Sequence, residues 1–149
     1  MQLENGANLP TTNQLASQLL HVATTLAKQA GDMALDGRRN GLKHVQTKST
    51  ATDMVTEFDK ASEVLIVQGL ESMRPDDAII GEEGASRSGT TGITWHIDPI
   101  DGTTNFFYDL PTWAVSIGAV DEHGSLAGAV YIPALNESFT AVRGGGAFC

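Results

Sequence analysis

The chain has 149 residues, 18 of them acidic and 9 basic, for a net charge of −9, and 41% of its residues are hydrophobic. That is enough chain for one domain with a sizeable core, and no apolar run is long enough to span a membrane. The charge has the wrong sign for a nucleic-acid binder, and the single cysteine, Cys149, excludes an internal disulfide and makes the cytoplasm the default compartment.

The opening MQLENGANLPTTNQ is polar and has neither the basic region nor the apolar stretch of a signal peptide. Residues 1–11 read as disordered. Thr12 is the expected N-cap of a helix running to about Leu35. Leu15, Leu19, Val22, Leu26, Ala30 and Met33 recur at steps of three and four and make one apolar stripe. Asp36-Gly37-Arg38-Arg39-Asn40-Gly41 is expected to end it. Leu42 to Thr47 carries a weak strand signal, and Lys48 to Asp53 reads as a polar turn. A second helix is predicted from near Thr56 to Met73, with Phe58, Ala61, Leu65 and Met73 on its buried side and Arg74-Pro75 as its breaker.

Ala78 to Gly81 reads as a short buried strand ending in the pair Glu82-Glu83. Gly84 to Gly92 reads as a flexible loop and Ile93 to Asp98 as another strand. Trp113 to Val120, Ser125 to Ile132 and Glu137 to Val142 are three further strand-like runs with short turns between them, which predicts an antiparallel meander. Two helices ahead of an antiparallel sheet make an α+β fold. Gly144 to Cys149 reads as a turn leading into a strand that never arrives, so residues 12–149 read as one α+β portion incomplete at its C-terminus.

The run Trp95-His96-Ile97-Asp98-Pro99-Ile100-Asp101-Gly102-Thr103-Thr104 carries the chemistry. Two carboxylates sit three apart around a proline at a strand end, and a glycine and two hydroxyl residues follow. Mg²⁺ is hard and takes oxygen ligands, commonly carboxylates with waters and phosphate oxygens. A pair of such ions can activate a water and stabilise a leaving oxygen. Gly102 has no Cβ, so a phosphate can approach its backbone, and a helix starting at Thr103 would offer free N–H groups. Bound cations would also reconcile an acidic chain with a phosphate substrate. Asp, Pro and Gly are equally common in plain β-turns. Taken alone, Asp59 reads as a first-turn helix residue placed for the dipole. Trp95, Phe106 and Trp113 read as core, His96 as a non-ligand histidine and Cys149 as inert.

Four blocks, in order and spacing, resemble the inositol monophosphatase family of the lithium-sensitive, Mg²⁺-dependent sugar phosphatases. They are Lys48 to Asp59, Ile80-Gly81-Glu82-Glu83-Gly84, Trp95 to Phe106, and Gly144-Gly145-Gly146-Ala147-Phe148. The resemblance implies the first half of an αβαβα sandwich, cut before its C-terminal α/β half. It implies two or three Mg²⁺ ions in the complete enzyme. Glu82 would ligate the first, Asp98 would bridge the first and second, the Ile100 carbonyl would serve the first, and Asp101 the second. Asp59 and Thr103 would orient and help deprotonate the attacking water. Glu83 would support the site, and the N–H groups of Gly102 and Thr103 would hold the phosphate. The implied substrate is a small phosphorylated polyol, most simply inositol monophosphate, and the implied assembly is a cytoplasmic homodimer that uses neither nucleic acid nor membrane. The family's W-A-G-S-x-x-D-type block, whose Asp completes the second metal site, has no counterpart here. Two alternatives stay open: a truncated, non-catalytic fragment, and a related phosphatase acting on a nucleotide 3′-phosphate, histidinol phosphate or fructose bisphosphate.

Overall fold

A computed structural model describes residues 11–41 and 51–149, the side chains of 51–56 excepted. The expectations for residues 1–10, for a strand over Leu42 to Thr47 and for the first three residues of the polar turn, 48–50, lie outside those residues. Helix α1 spans Thr12–Gly41 and α2 Ala51–Met73. Strands β1 (Ala78–Gly81), β2 (Ser86–Arg87) and β3 (Thr94–Asp101) follow, then the short helix α3 (Thr103–Phe107). Strands β4 (Ala114–Asp121), β5 (Gly124–Ile132), β6 (Glu137–Val142) and β7 (Gly146–Phe148) complete the order. Among the described residues three helices thus pack on one seven-stranded sheet ordered β2-β1-β3-β4-β5-β6-β7.

The N-cap of α1 is Thr11, one residue before the expected one. The Gln14 N–H donates to Thr11 Oγ1 at 3.3 Å and the Thr11 N–H to Gln14 Oε1 at 3.0 Å, a capping box. The helix also runs past Leu35 to Gly41. A glycine inside a helix costs about 1 kcal/mol against alanine, but here Gly37 accepts the Phe58 ring where a Cβ would collide, and the next residue, Arg38, is anchored inside the fold. Tertiary contacts override the local stop signal. Helix α2 starts at Ala51, so the last three residues of the predicted turn, Ala51 to Asp53, are helical.

The predicted antiparallel meander is β4-β5-β6; the sheet as a whole is mixed, which corrects the expectation of a wholly antiparallel one. β1 lies parallel to β3, with Ile79 opposite Trp95, while the remaining pairs are antiparallel. The predicted loop Gly84 to Gly92 contains β2, and the strand expected never to arrive is β7, paired with β6 through Ala141 and Ala147. Both are short edge strands that depend on a neighbour's ladder, which local patterning does not register.

The helices cover one face of the sheet. Ile79, Trp95, Ile97, Val115, Ile117, Ala129 and Tyr131 meet Leu19, Val22, Leu26, Ile66 and Leu70 there. A second cluster of Ala34, Ile100, Phe106 and Trp113 sits under the central motif, with the Phe106 and Trp113 rings edge to face at 4.8 Å. The opposite face carries Ile80, His96, Asp98, Ser116, Gly118, Val130 and Phe139, and is open. Among the described residues no helix is long and apolar enough to cross a membrane.

Candidate active site

Three elements bring the acidic residues to one end of the β1–β3 pair. Helix α2 carries the buried Asp59 in its first half. Glu82 and Glu83 leave the end of β1, where the Glu82 N–H donates to the Ile97 carbonyl of β3 at 3.1 Å. Strand β3 itself carries Asp98 and Asp101. Along β3 Asp98 faces Ser116 and Asp101 faces Ala114, so three steps on β3 match two on β4. That extra residue is a β-bulge, a device found beside functional sites because it re-aims side chains. In an unbroken strand, residues three apart point to opposite faces. The bulge breaks this alternation, and Asp101 lies close enough to act electrostatically on Asp98.

The electrostatics are those of crowded like charges. Burial pushes the Asp59 carboxyl up to about 7, helped by the charges of Glu83, Glu82 and Glu63. Burial raises Asp98 to about 7 as well, followed by a hydrogen bond with Glu82 and the charges of Glu82, Asp101 and Asp59. One carboxylate oxygen of Asp98, Oδ1, is buried without a hydrogen-bond partner. An orphaned buried acceptor is costly, and a cation is the partner it fits. The donor set is all oxygen, which suits Mg²⁺ or Mn²⁺ rather than a soft metal. Among the described residues the acids do not close on one point as a ready-made cage. Glu82, His96 and Asp98 line a groove of about 590 Å³ on the open sheet face.

The turn after Asp101 is built for close backbone approach. Gly102 has φ 89° and is the N-cap of α3, in the left-handed region that a Cβ disfavours. An added Cβ would also lie 3.3 Å from the Thr112 carbonyl. The Phe106 N–H donates to the Gly102 carbonyl at 3.0 Å, and the Thr103 hydroxyl donates to the Ile100 carbonyl at 3.1 Å. That hydroxyl and that carbonyl, both expected to serve the site, are thus bonded to each other. Arg38 holds the far end of α3. Its Nε donates to the Phe106 carbonyl at 2.6 Å, and its guanidinium pairs with Asp109 at 2.7 Å.

The buried face of α2 differs from the apolar pattern. Asp59, Ser62, Glu63, Ile66 and Leu70 point inward, whereas Ala61 and Met73 are exposed and Phe58 and Leu65 half-buried. The Ser62 hydroxyl donates to the Pro99 carbonyl, within the bulge, at 3.2 Å. Glu63 accepts the N–H groups of Glu83 and Ala85, each at 2.8 Å. Sequence reading missed Ser62, Glu63 and Arg38. Asp59 and Glu63, four apart, share a helical face, and that spacing was the available signal for Glu63.

The sequence profile of the inositol monophosphatase family matches residues 15–149. The chain is 43% identical to inositol monophosphatase 2 of Solanum lycopersicum over 136 residues, covering 88% of this chain and 51% of that protein. It is 43% identical to Nus factor SuhB of Pasteurella multocida over 132 residues, covering 87% of this chain and 49% of that protein. The solved structure of Mycobacterium tuberculosis SuhB superimposes with a TM-score of 0.74 at 37% identity, over 89% of this chain and 47% of that one. The chain spans about half the length of the curated relatives it matches.

Proposed function

This chain belongs to the inositol monophosphatase family, and we propose that it carries the metal-holding and water-orienting groups of a Mg²⁺-dependent phosphate monoester hydrolase, with inositol monophosphate as the substrate that fits best. The observation carrying this reading is the orphaned Asp98 Oδ1 among carboxylates delivered by α2, β1 and β3. Glu82, Asp98, Asp101 and the Ile100 carbonyl form the metal-holding set. When bound, Mg²⁺ acidifies a water and offsets phosphate charge.

The chain's own groups do the rest. Asp59, with its carboxyl raised to about 7, accepts or releases a proton near neutrality. Thr103 orients the attacking water after its hydroxyl turns from the Ile100 carbonyl. The N–H groups of Gly102 and Thr103 hold phosphate oxygens, and Glu83 supports the site beside Asp59. The oxygen that attacks phosphorus is a water's, so no side chain becomes phosphorylated. A cytoplasmic homodimer belongs to the same reading, supported by the single cysteine and the family membership.

Phosphate release from inositol 1-phosphate, with and without Mg²⁺ and beside Asp98→Asn, tests the reading. Mg²⁺-dependent turnover lost in the variant is the expected result, and turnover independent of Mg²⁺ overturns it. A second reading, a non-catalytic half of a larger assembly, is favoured by the open sheet face, where Ile80 is 51% and Phe148 65% exposed. It predicts divalent-cation binding without turnover in the same samples.

A further inference from the structure

Helix α2 reaches each ligand-bearing segment through one face. Asp59 belongs to the acidic cluster, Ser62 holds the bulge at Pro99, and Glu63 holds the turn after β1. Glu63 is only 5% exposed. Its Oε2 accepts the Glu83 N–H and its Oε1 the Ala85 N–H, both at 2.8 Å. These two amides flank the turn that begins with Glu82. The Gly81 N–H closes the same turn on the Ala85 carbonyl at 2.7 Å, and a Cβ on Gly81 would collide with the Glu63 carboxylate. The turn therefore fits a carboxylate on one side and the absence of a side chain on the other.

We propose that Glu63 is a positioning residue that sets the direction of Glu82 toward Asp98 by clamping the turn with both carboxylate oxygens. The inference rests on the metal-binding reading above and extends it to a residue that does not itself touch the metal. A buried carboxylate beside an acidic cluster adds repulsion. Its two charge-assisted bonds to backbone amides offset that cost and bring α2 and the turn into register. Groups that orient metal ligands from behind typically change metal affinity by about 10–100-fold when removed.

The test is Mn²⁺ titration by calorimetry on the full chain, with Mn²⁺ as a hard-cation probe, beside amide hydrogen exchange and metal-free melting. Glu63→Gln keeps one acceptor and presents an NH₂ to the other amide. Gly81→Ala keeps the charge but displaces the carboxylate, and Glu63→Asp keeps the charge but is too short for both bonds. Leu70→Val, on the same buried face two turns along, is the control for a merely structural role. The expected result is Mn²⁺ binding weakened at least about 10-fold in Glu63→Gln and in either charge-keeping variant that folds. Exchange at Glu83 and Ala85 is faster in the same variants, and Leu70→Val melts lower with unchanged affinity in its folded fraction. Weakening in Glu63→Gln alone assigns the effect to charge and overturns the positioning role, as does unchanged affinity throughout. A native chain that binds no Mn²⁺ overturns the metal-binding reading itself, and the positioning role falls with it.

Discussion

Two aspartates at opposite ends of the β1–β3 pair, Asp77 buried and Asp98 half-buried, have opposite surroundings. Asp77, just before β1, is 1% exposed and fully engaged: Arg74 donates at 2.7 and 3.0 Å, Thr91 Oγ1 at 2.6 Å and Trp95 Nε1 at 2.9 Å. Burial alone would raise its carboxyl, but these hydrogen bonds and the Arg74 charge outweigh it and leave it below the ordinary value. Asp98 has carboxylates for neighbours, an oxygen with no partner, and a carboxyl raised to about 7. A satisfied buried acid holds architecture together. A frustrated one marks a candidate binding position.

The largest expected effect falls on the satisfied member. Asp77→Ala leaves the half-buried Arg74, Thr91 and the buried Trp95 N–H without their acceptor, and each buried donor left unsatisfied costs about 1–3 kcal/mol, measured as the urea midpoint. Asp98→Asn is expected to leave the metal-free midpoint unchanged or higher while abolishing divalent binding. Equal losses in both variants would break the contrast.

Next comes Gly102→Ala, which forces a Cβ into the left-handed region at φ 89°. A cost of about 1–2 kcal/mol is expected in the same measurement.

The third prediction is pH dependence. Asp59 and Asp98 hold their protons to about 7 in the folded chain, above the ordinary value of 3.8. Between those values the folded state binds more protons, so metal-free stability falls as pH rises. A melting temperature several degrees lower at pH 8 than at pH 5 is expected, with the slope flattened in Asp98→Asn. A rising melting temperature over that range contradicts the assignment.

The smallest effect belongs to Arg143, which pairs with Asp121 at 2.8 Å on the surface. The hydrogen bonds from Arg143 lower the Asp121 carboxyl to about 2. Any stability this adds is present above 3.8 and lost toward pH 2. Arg143→Ala should change the melting temperature only slightly at neutral pH, because exposed pairs are screened.

Much of the site was legible from local sequence. Asp98, Pro99, Asp101 and Gly102 sit where a strand ends and a short helix begins, as their spacing predicts. The long apolar stripe of α1 was equally clear, and Leu19, Val22, Leu26 and Ala30 are buried. The stripe of α2 misled because its inward face in the first half is Asp59, Ser62 and Glu63, polar residues satisfied by another element's backbone or held in the acidic cluster. Hydrophobic periodicity cannot report a face whose partners are hydrogen bonds. The parallel β1–β3 pair escaped for a related reason, since short β2 intervenes and only long-range pairing reveals the order.

The sequence by itself determined the residue types of the site, the strand ends that carry them and the family, because carboxylate spacing, glycine and turn chemistry are local properties. Only the tertiary structure decided which acid is satisfied and which is frustrated. Asp77 and Asp98 are the same residue type, and their difference lies in their neighbours: Arg74, three residues along the chain, and Trp95, brought by β3, for Asp77; Glu82, brought by the β1–β3 pairing, and Asp59, brought by α2, for Asp98. Burial and neighbouring charge act through space, and the chain must fold before either exists.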